Sequence, residues 1–482
     1  MLKASHYRLL GFIFAGVFAL HGCHTVSNVS SSSKDTSISS IDEVISYDST
    51  YFQGKWGGYL VQDVYDFPFA MRLEGKTMTL DIPALGIDKQ SFNDVSYEEE
   101  FVKITADDQV MLISPAGEDS VYVDVPFAEG SRALLARGKD RPELNRPQAA
   151  NLSDSYTSVP VEFKNDDHDI VLSGTLSGPA EASSVVIFLS GSGPSDRDET
   201  IFGHKPFAVI ADYLSSRGVT VLRYDDRGVG ESTGSQVGST SFDFAMDAKA
   251  AYNFVKDSLG DIPIGFLGHS EGGIIAQVAD SLVGGVSFHI YLASPGLDII
   301  DLMVEQNRLF LADKIGVEQA NIYASGLKGV FAAVVSDLDR AAKQDTINRR
   351  AKTLYNQLDP EQAKKVAPSD IFYAMNMNAL QSNVWMQYFL SYQPSQYLSK
   401  IKCPILAING SKDIQVIPEN LGAIQELATL ADVTAIEFPN LNHLMQHCIT
   451  GQVKEYALIS ETINPAVLDT MVSWLSDKGW AE

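Results

Sequence analysis

Ile262-Pro263-Ile264-Gly265-Phe266-Leu267-Gly268-His269-Ser270-Glu271-Gly272-Gly273-Ile274-Ile275 is the stretch whose reading decides the fold. An apolar, strand-like run enters the pentapeptide Gly268 to Gly272, and Ile274, Ile275, Val278, Ala279 and Leu282 then recur at helical spacing. A strand entering a serine and a helix leaving it make a nucleophile elbow, whose strained turn exposes the hydroxyl at the positive end of the helix. The flanking glycines leave room for strand and helix to pack tightly. Gly230-Glu231-Ser232-Thr233-Gly234 has the same G-x-S-x-G form. Ser232, however, stands eight residues past the strand-like run Val219 to Tyr224 and leads into polar Gly/Ser sequence, so it reads as a loop serine.

Working outward, strands alternate with helical patterns from Ser158 onward, which predicts a mostly parallel sheet covered on both faces. Strands are expected at 158–165, 169–176, 185–190, 219–224, 262–268, 287–293, 404–409 and 433–438. The gap between 293 and 404 has helical periodicity and is too long for a loop, so it reads as a helical insertion. Residues 51–150 carry short alternating runs, Thr77 to Pro83 and Val121 to Val125 among them, punctuated by Gly, Pro and Asp; this is the pattern of a small β domain. The polar stretch Arg141 to Tyr156 reads as the linker.

At the amino terminus, Lys3 and Arg8 precede 12 mostly apolar residues, Leu9 to Leu20. That is shorter than the ~20 residues of a spanning helix and reads as a signal peptide over residues 1–22. Leu20-His21-Gly22-Cys23 resembles a bacterial lipobox, which implies lipidation at Cys23. From His24 to Thr50, 13 of 27 residues are Ser or Thr, too polar to offset their ordering entropy, so residues 23–50 are expected to be a lipid-anchored tether.

Composition excludes whole classes. Across 482 residues, 36 Lys and Arg stand against 61 Asp and Glu, a net charge of −25, which a nucleic-acid backbone would repel. Three cysteines are too few for a disulfide framework, and Cys403 and Cys448 read as free thiols or as one possible bridge. His443 and His447 are four apart like a zinc pair, but Leu444 stands where that motif has Glu and no third ligand is evident, so no metal is expected. His269 reads as pointing away from Ser270, and His289 as a satisfied core imidazole. Asp225, Asp226 and Arg227 read as a brace for the loop after strand 219–224, and Asp196 to Asp198 likewise.

A serine hydroxyl needs a base in reach and a group that orients the base. In a parallel sheet both must come from loops at the elbow's own edge. Two loops qualify: Gly410-Ser411-Lys412-Asp413 and Pro439-Asn440-Leu441-Asn442-His443. With the order Ser270, Asp413, His443, each after the appropriate strand, residues 158–482 resemble the α/β-hydrolase superfamily. Leu189-Ser190-Gly191-Ser192-Gly193-Pro194, Tyr224 to Ser232, Gly268 to Gly272 and Asn442-His443-Leu444 are similar to the bacterial exported esterases of the serine aminopeptidase-like group that carry an extra N-terminal β domain.

The resemblance implies an α/β-hydrolase fold: a core over 151–295 and 401–482, a helical cap over 296–400, and a small β-rich domain over 51–150 in front. It also implies hydrolysis of carboxylic esters, whereas the spacing alone implies only a serine hydrolase. The oxyanion donors are expected to be the amides of Glu271 and Ser192, with Gly193 next in line. Trp385 and Phe389 are the first choices for an apolar substrate pocket. No cofactor is required. The expected partners are a small-molecule ester and a membrane reached only through the lipid anchor, with no nucleic acid; a peptidase on the same scaffold and a catalytically silent binding protein remain the alternatives.

Overall fold

The structure is a computed structural model, and it describes residues 48–62, 65–82, 87–98, 100–106, 109–125, 132–150, 153, 155–165 and 169–482. The expected signal peptide, Cys23 and nearly all of the tether lie outside the described residues. Among the described residues no helix is long and apolar enough to cross a membrane. The chain divides into two compact units, the first ending at Asn145 and the second starting at Arg146.

Among its described residues the first unit is all β. Nine strands form one sheet: β1 (Gly54–Gln62), β2 (Tyr65–Glu74), β3 (Thr77–Ile82), β4 (Ile87–Phe92), β5 (Val95–Tyr97), β6 (Val102–Ala106), β7 (Gln109–Gly117), β8 (Ser120–Asp124) and β9 (Arg132–Arg137). Their order is β4-β3-β2-β1-β9-β8-β7-β6-β5, every pair antiparallel. Period-two alternation does what it must in a sheet with one covered face: Met78, Leu80 and Ile82 on β3, Val121 and Val123 on β8 and Ala133 and Leu135 on β9 are buried together with Trp56 and Phe69.

The second unit holds an eight-stranded sheet: β10 (Thr157–Asn165), β11 (Ile170–Gly178), β12 (Ser184–Leu189), β13 (Val219–Tyr224), β14 (Ile264–His269), β15 (Phe288–Leu292), β16 (Ile405–Gly410) and β17 (Val433–Phe438). All eight expected strands occur, each within two residues of the expected ends. The order is β10-β11-β13-β12-β14-β15-β16-β17; β10, β11 and β13 pair antiparallel and the rest of the sheet is parallel. This is an α/β fold. The central strands β12, β14, β15 and β16 are buried along their whole length, as a parallel sheet with both faces covered requires.

Helices α1 (Pro206–Ser215), α2 (Ser241–Leu259) and α3 (Glu271–Val283) connect the central strands. Between β15 and β16 the chain is helical, with α4 (Ile299–Ile315), α5 (Val317–Val334), α6 (Arg340–Gln357), α7 (Pro360–Val366), α8 (Asp370–Ala379) and α9 (Val384–Ser391). After β16 come α10 (Glu419–Leu427) and α11 (Pro465–Asp477). The polar stretch read as a linker is, in its later part, bonded into the second unit. Arg146 donates to the carbonyls of Ala457 at 2.8 Å and Ile459 at 2.9 Å, and Gln148 Nε2 donates to the Ile463 carbonyl at 2.7 Å. Pro and polar residues resemble a linker because side-chain bonds to carbonyls about three hundred residues away leave no local pattern.

Candidate active site

Strand β14 delivers Ser270 in a backbone conformation of φ 55° and ψ −121°, and α3 starts at the next residue. A non-glycine residue there is strained, and such strain persists where the surrounding structure over-determines it. Close packing supplies the constraint. A Cβ on Gly272 would fall 2.0 Å from the Leu189 carbonyl oxygen, and one on Gly268 would fall 2.4 Å from the Gly272 carbonyl. The Ser270 amide donates to the Leu292 carbonyl at 2.9 Å, while its hydroxyl makes no capping bond and is left for other use.

Asp413 and His443 are brought together. His443 Nδ1 lies 2.8 Å from Asp413 Oδ2, with both residues buried. The other oxygen, Oδ1, accepts the amides of Gln415 at 2.8 Å and Val416 at 3.0 Å, so the carboxylate cannot swing. An ionised carboxylate only accepts, so Nδ1 carries the proton and Nε2 is left with its lone pair. The turn that presents His443 is shaped by Asn442, whose Oδ1 accepts the amides of Leu444 at 2.9 Å and Gln446 at 3.0 Å. Among the described residues neither His443 Nε2 nor Ser270 Oγ has a hydrogen-bond partner, so the two are not joined to each other here. In unliganded hydrolases that bond is commonly long. His443 and His447 lie in a loop, with Leu441 and His447 bridged antiparallel, and do not share a helix face.

Ser192 and Glu271 also meet, Ser192 Oγ donating to Glu271 Oε2 at 2.5 Å. Among the described residues no backbone acceptor is found for the amides of Ser192, Glu271 or Gly193, the last of which has a φ of 102°. Ser241 Oγ and Trp385 Nε1 donate to Glu271 Oε1 at 2.6 and 2.8 Å. Burial pushes the Glu271 carboxyl above the usual carboxylate range against these three donors. Trp385 stacks on Phe389 with ring centroids 5.1 Å apart. The side chain of Glu271, expected only to lend its amide, thus links the glycine loop, α2 and α9.

Two further carboxylates hold the glycine loop. Asp226 accepts from Ser190 Oγ at 2.8 Å and from the Ser195 amide at 3.0 Å, and burial pushes its pKa to about 8. Glu199 Oε1 accepts the Gly191 amide at 2.8 Å and lies 2.9 Å from His269 Nδ1. The far side of that ring, His269 Nε2, lies 3.0 Å from the His443 carbonyl oxygen. His269 does point away from the serine, but into this contact. Sequence reasoning does not single out Asp226, Glu199 or His269 as site residues, because no spacing rule links their contacts, which join positions up to 174 residues apart.

The remaining candidates take other places. Ser232 Oγ donates to the Asp225 carbonyl at 2.7 Å and accepts the Ser173 amide at 2.9 Å, which consumes it structurally. Arg227 forms a bidentate pair with buried Asp247, at 2.7 and 2.9 Å, and Arg197 another with Asp225, at 3.1 and 2.7 Å. Both brace loops, as expected. Cys403 and Cys448 are free thiols. His289 departs from the satisfied core imidazole expected of it, since Nδ1 has no partner and Nε2 is 3.4 Å from Asp280. A side-chain donor group that could hold a metal is formed by Asp280, His289 and Cys403, with ligand atoms within 4.8 Å of one another at the amino ends of β15 and β16, the sheet end opposite the elbow.

Known proteins resemble this chain in graded ways. The esterase EstD of Thermotoga maritima is 27% identical over 306 residues, covering 62% of this chain; the chain spans 63% of that relative's length. Among solved structures, the Pyrococcus furiosus esterase Pf2001 is 18% identical, covering 71% of this chain and 99% of its own, with a TM-score of 0.39. The proline iminopeptidase of Mycobacterium smegmatis is 17% identical, covering 67% and 98%, with a TM-score of 0.38. The family model described as serine aminopeptidase, S33, matches residues 204–447, a span that contains Ser270, Asp413 and His443. That span is half of the chain, and the chain therefore belongs to the serine aminopeptidase S33 family.

Proposed function

We propose that this chain hydrolyses carboxylic esters of small molecules through an acyl-enzyme on Ser270. The observation that carries the reading is the buried His443–Asp413 contact of 2.8 Å on the loops after β16 and β17, at the sheet edge where β14 presents Ser270. His443 Nε2 takes the Ser270 proton as the hydroxyl attacks the carbonyl carbon, and returns it to the leaving alkoxide; water then repeats the sequence to release the acid. Asp413 holds the tautomer and stabilises the imidazolium. The amides of Ser192 and Glu271, with Gly193 beside them, receive the negative charge on the carbonyl oxygen. The segment 296–400 serves as the cap, and Trp385 and Phe389 line an apolar pocket for the acyl or alcohol group. In the cell the chain is exported and held at the envelope by a lipid on Cys23, with residues 23–50 as tether; this rests on the sequence pattern alone.

Esters are preferred to peptides because the relative EstD is named an esterase. The matched family's description favours a second reading, removal of amino-terminal residues from peptides, on the same residues. A panel of short p-nitrophenyl esters beside aminoacyl p-nitroanilides, run on wild type and Ser270→Ala, separates them. Ester turnover exceeding amide turnover, and lost in the variant, is the expected result; the reverse preference assigns the peptidase.

A further inference from the structure

We propose that His269 is an imidazolium that positions the active site, tying the glycine loop and the His443 loop to the strand that carries Ser270. The proposal deepens the reading of Ser270 as nucleophile and rests on it for its kinetic consequences.

The proton state follows from the partners. A backbone carbonyl can only accept, so His269 Nε2, 3.0 Å from the His443 oxygen, must carry a hydrogen. An ionised carboxylate can only accept, so Nδ1, 2.9 Å from Glu199 Oε1, must carry one as well. Two acceptor-only partners require both nitrogens protonated. Burial opposes the charge, yet the pairing with Glu199 carries the His269 pKa above the ordinary histidine value. Pro206, Phe207, Ile210 and Leu444 line the space around the pair, so little water screens it.

The connectivity says what the charge does. Glu199 Oε1 also accepts the Gly191 amide at 2.8 Å, so the same oxygen that pairs with the imidazolium fixes the backbone next to Ser192. A Cβ on Gly191 would sit 3.3 Å from Ser270 Cβ and 3.5 Å from His269 Nδ1, which shows how closely loop, serine and ring are packed. On the other side, the rings of His269 and His443 lie 4.8 Å apart between centroids. Glycine loop, nucleophile and base thus hang on one ring: two hydrogen bonds leave the ring, a third runs from the Gly191 amide to Glu199, and Ser270 follows His269 in the chain. Loss of one proton from that ring breaks either the Glu199 or the His443 attachment. The ionisable groups facing His269 are Glu199, His443 and Asp413, with Asp226 acting on Glu199 from the neighbouring loop. Deprotonation of His269 should therefore loosen the site at alkaline pH.

Two measurements on the full chain test this. In protein labelled with 15N-histidine, one ring other than His443 should show two protonated nitrogens at pH 8, and that signal should vanish in His269→Gln. In ester kinetics, Glu199→Gln keeps an acceptor oxygen but removes the charge, so the alkaline fall of kcat should move to lower pH by about one unit or more. His269→Gln should lower kcat by about 10- to 100-fold with KM little changed, and its thermal unfolding at neutral pH controls for misfolding. A neutral His269 ring, or a Glu199→Gln profile that superimposes on wild type, overturns the proposal. Absence of ester turnover in wild type, with the doubly protonated ring present, overturns the ester reading and leaves the bridge standing.

Discussion

Asp413 has one oxygen for His443 and one for the backbone of its own loop, so its contribution is orientation as much as charge. Asp413→Asn can preserve that geometry while presenting an amide to Nδ1, which favours the tautomer with its proton on Nε2 and leaves no lone pair for the serine. We expect kcat for a good ester to fall by about 10⁴ with the fold intact, measured as turnover beside a thermal melt. Retention of turnover within tenfold would remove Asp413 from the role given to it. At this scale the site is unevenly legible. Ser270 could be found because strand, glycine-flanked serine and helix are contiguous in sequence. Asp413 and His443 could be found because each stands in the loop that follows a strand. His269 could not: its role depends on a carboxylate 70 residues earlier and a carbonyl 174 residues later, and locally it is only the residue before a serine.

The glycine loop after β12 is the element on which the proposed oxyanion site rests, and buried carboxyls hold it at several points. Asp226 is the one whose ionisation has a readable sign. Its pKa in the folded chain is about 8, against an ordinary carboxylate value near 4 when unfolded. Between those values the folded chain holds a proton that the unfolded chain has released, so stability falls as pH rises through that window and levels off above 8. Asp226→Asn keeps an acceptor oxygen for the Ser195 amide, turns its NH2 toward the Ser190 hydroxyl, which can accept, and does not ionise. Its melting temperature should therefore gain on wild type steadily from pH 4 to pH 8; a difference independent of pH would contradict the assignment. The helical segment between β15 and β16 was legible as helix from its periodicity. Which of its residues reach the elbow was not, because the contact of Trp385 with Glu271 spans 114 residues.

The molecule is two units with separate cores, an antiparallel β unit and an α/β unit that contains every residue of the proposed chemistry. Both classes were legible because alternation and strand–helix rhythm are local patterns; the strand order β4-β3-β2-β1-β9-β8-β7-β6-β5 was not, since pairing β1 with β9 joins residues far apart in sequence. A chain reduced to Arg146–Glu482 should unfold in one cooperative transition and keep ester kcat within about tenfold of the full chain, as a unit with its own core can. Failure to fold, with the full chain stable, would show that the α/β unit depends on the β unit. The central claim is that one serine, Ser270, is activated by its surroundings. Titrating the full chain with a fluorophosphonate and reading intact mass and residual ester turnover together tests it most directly. One adduct per chain, mapped to Ser270, forming in step with the loss of turnover and absent in Ser270→Ala, is the predicted result. Folded wild-type protein that takes up no adduct at Ser270, or that keeps its turnover once labelled there, contradicts it.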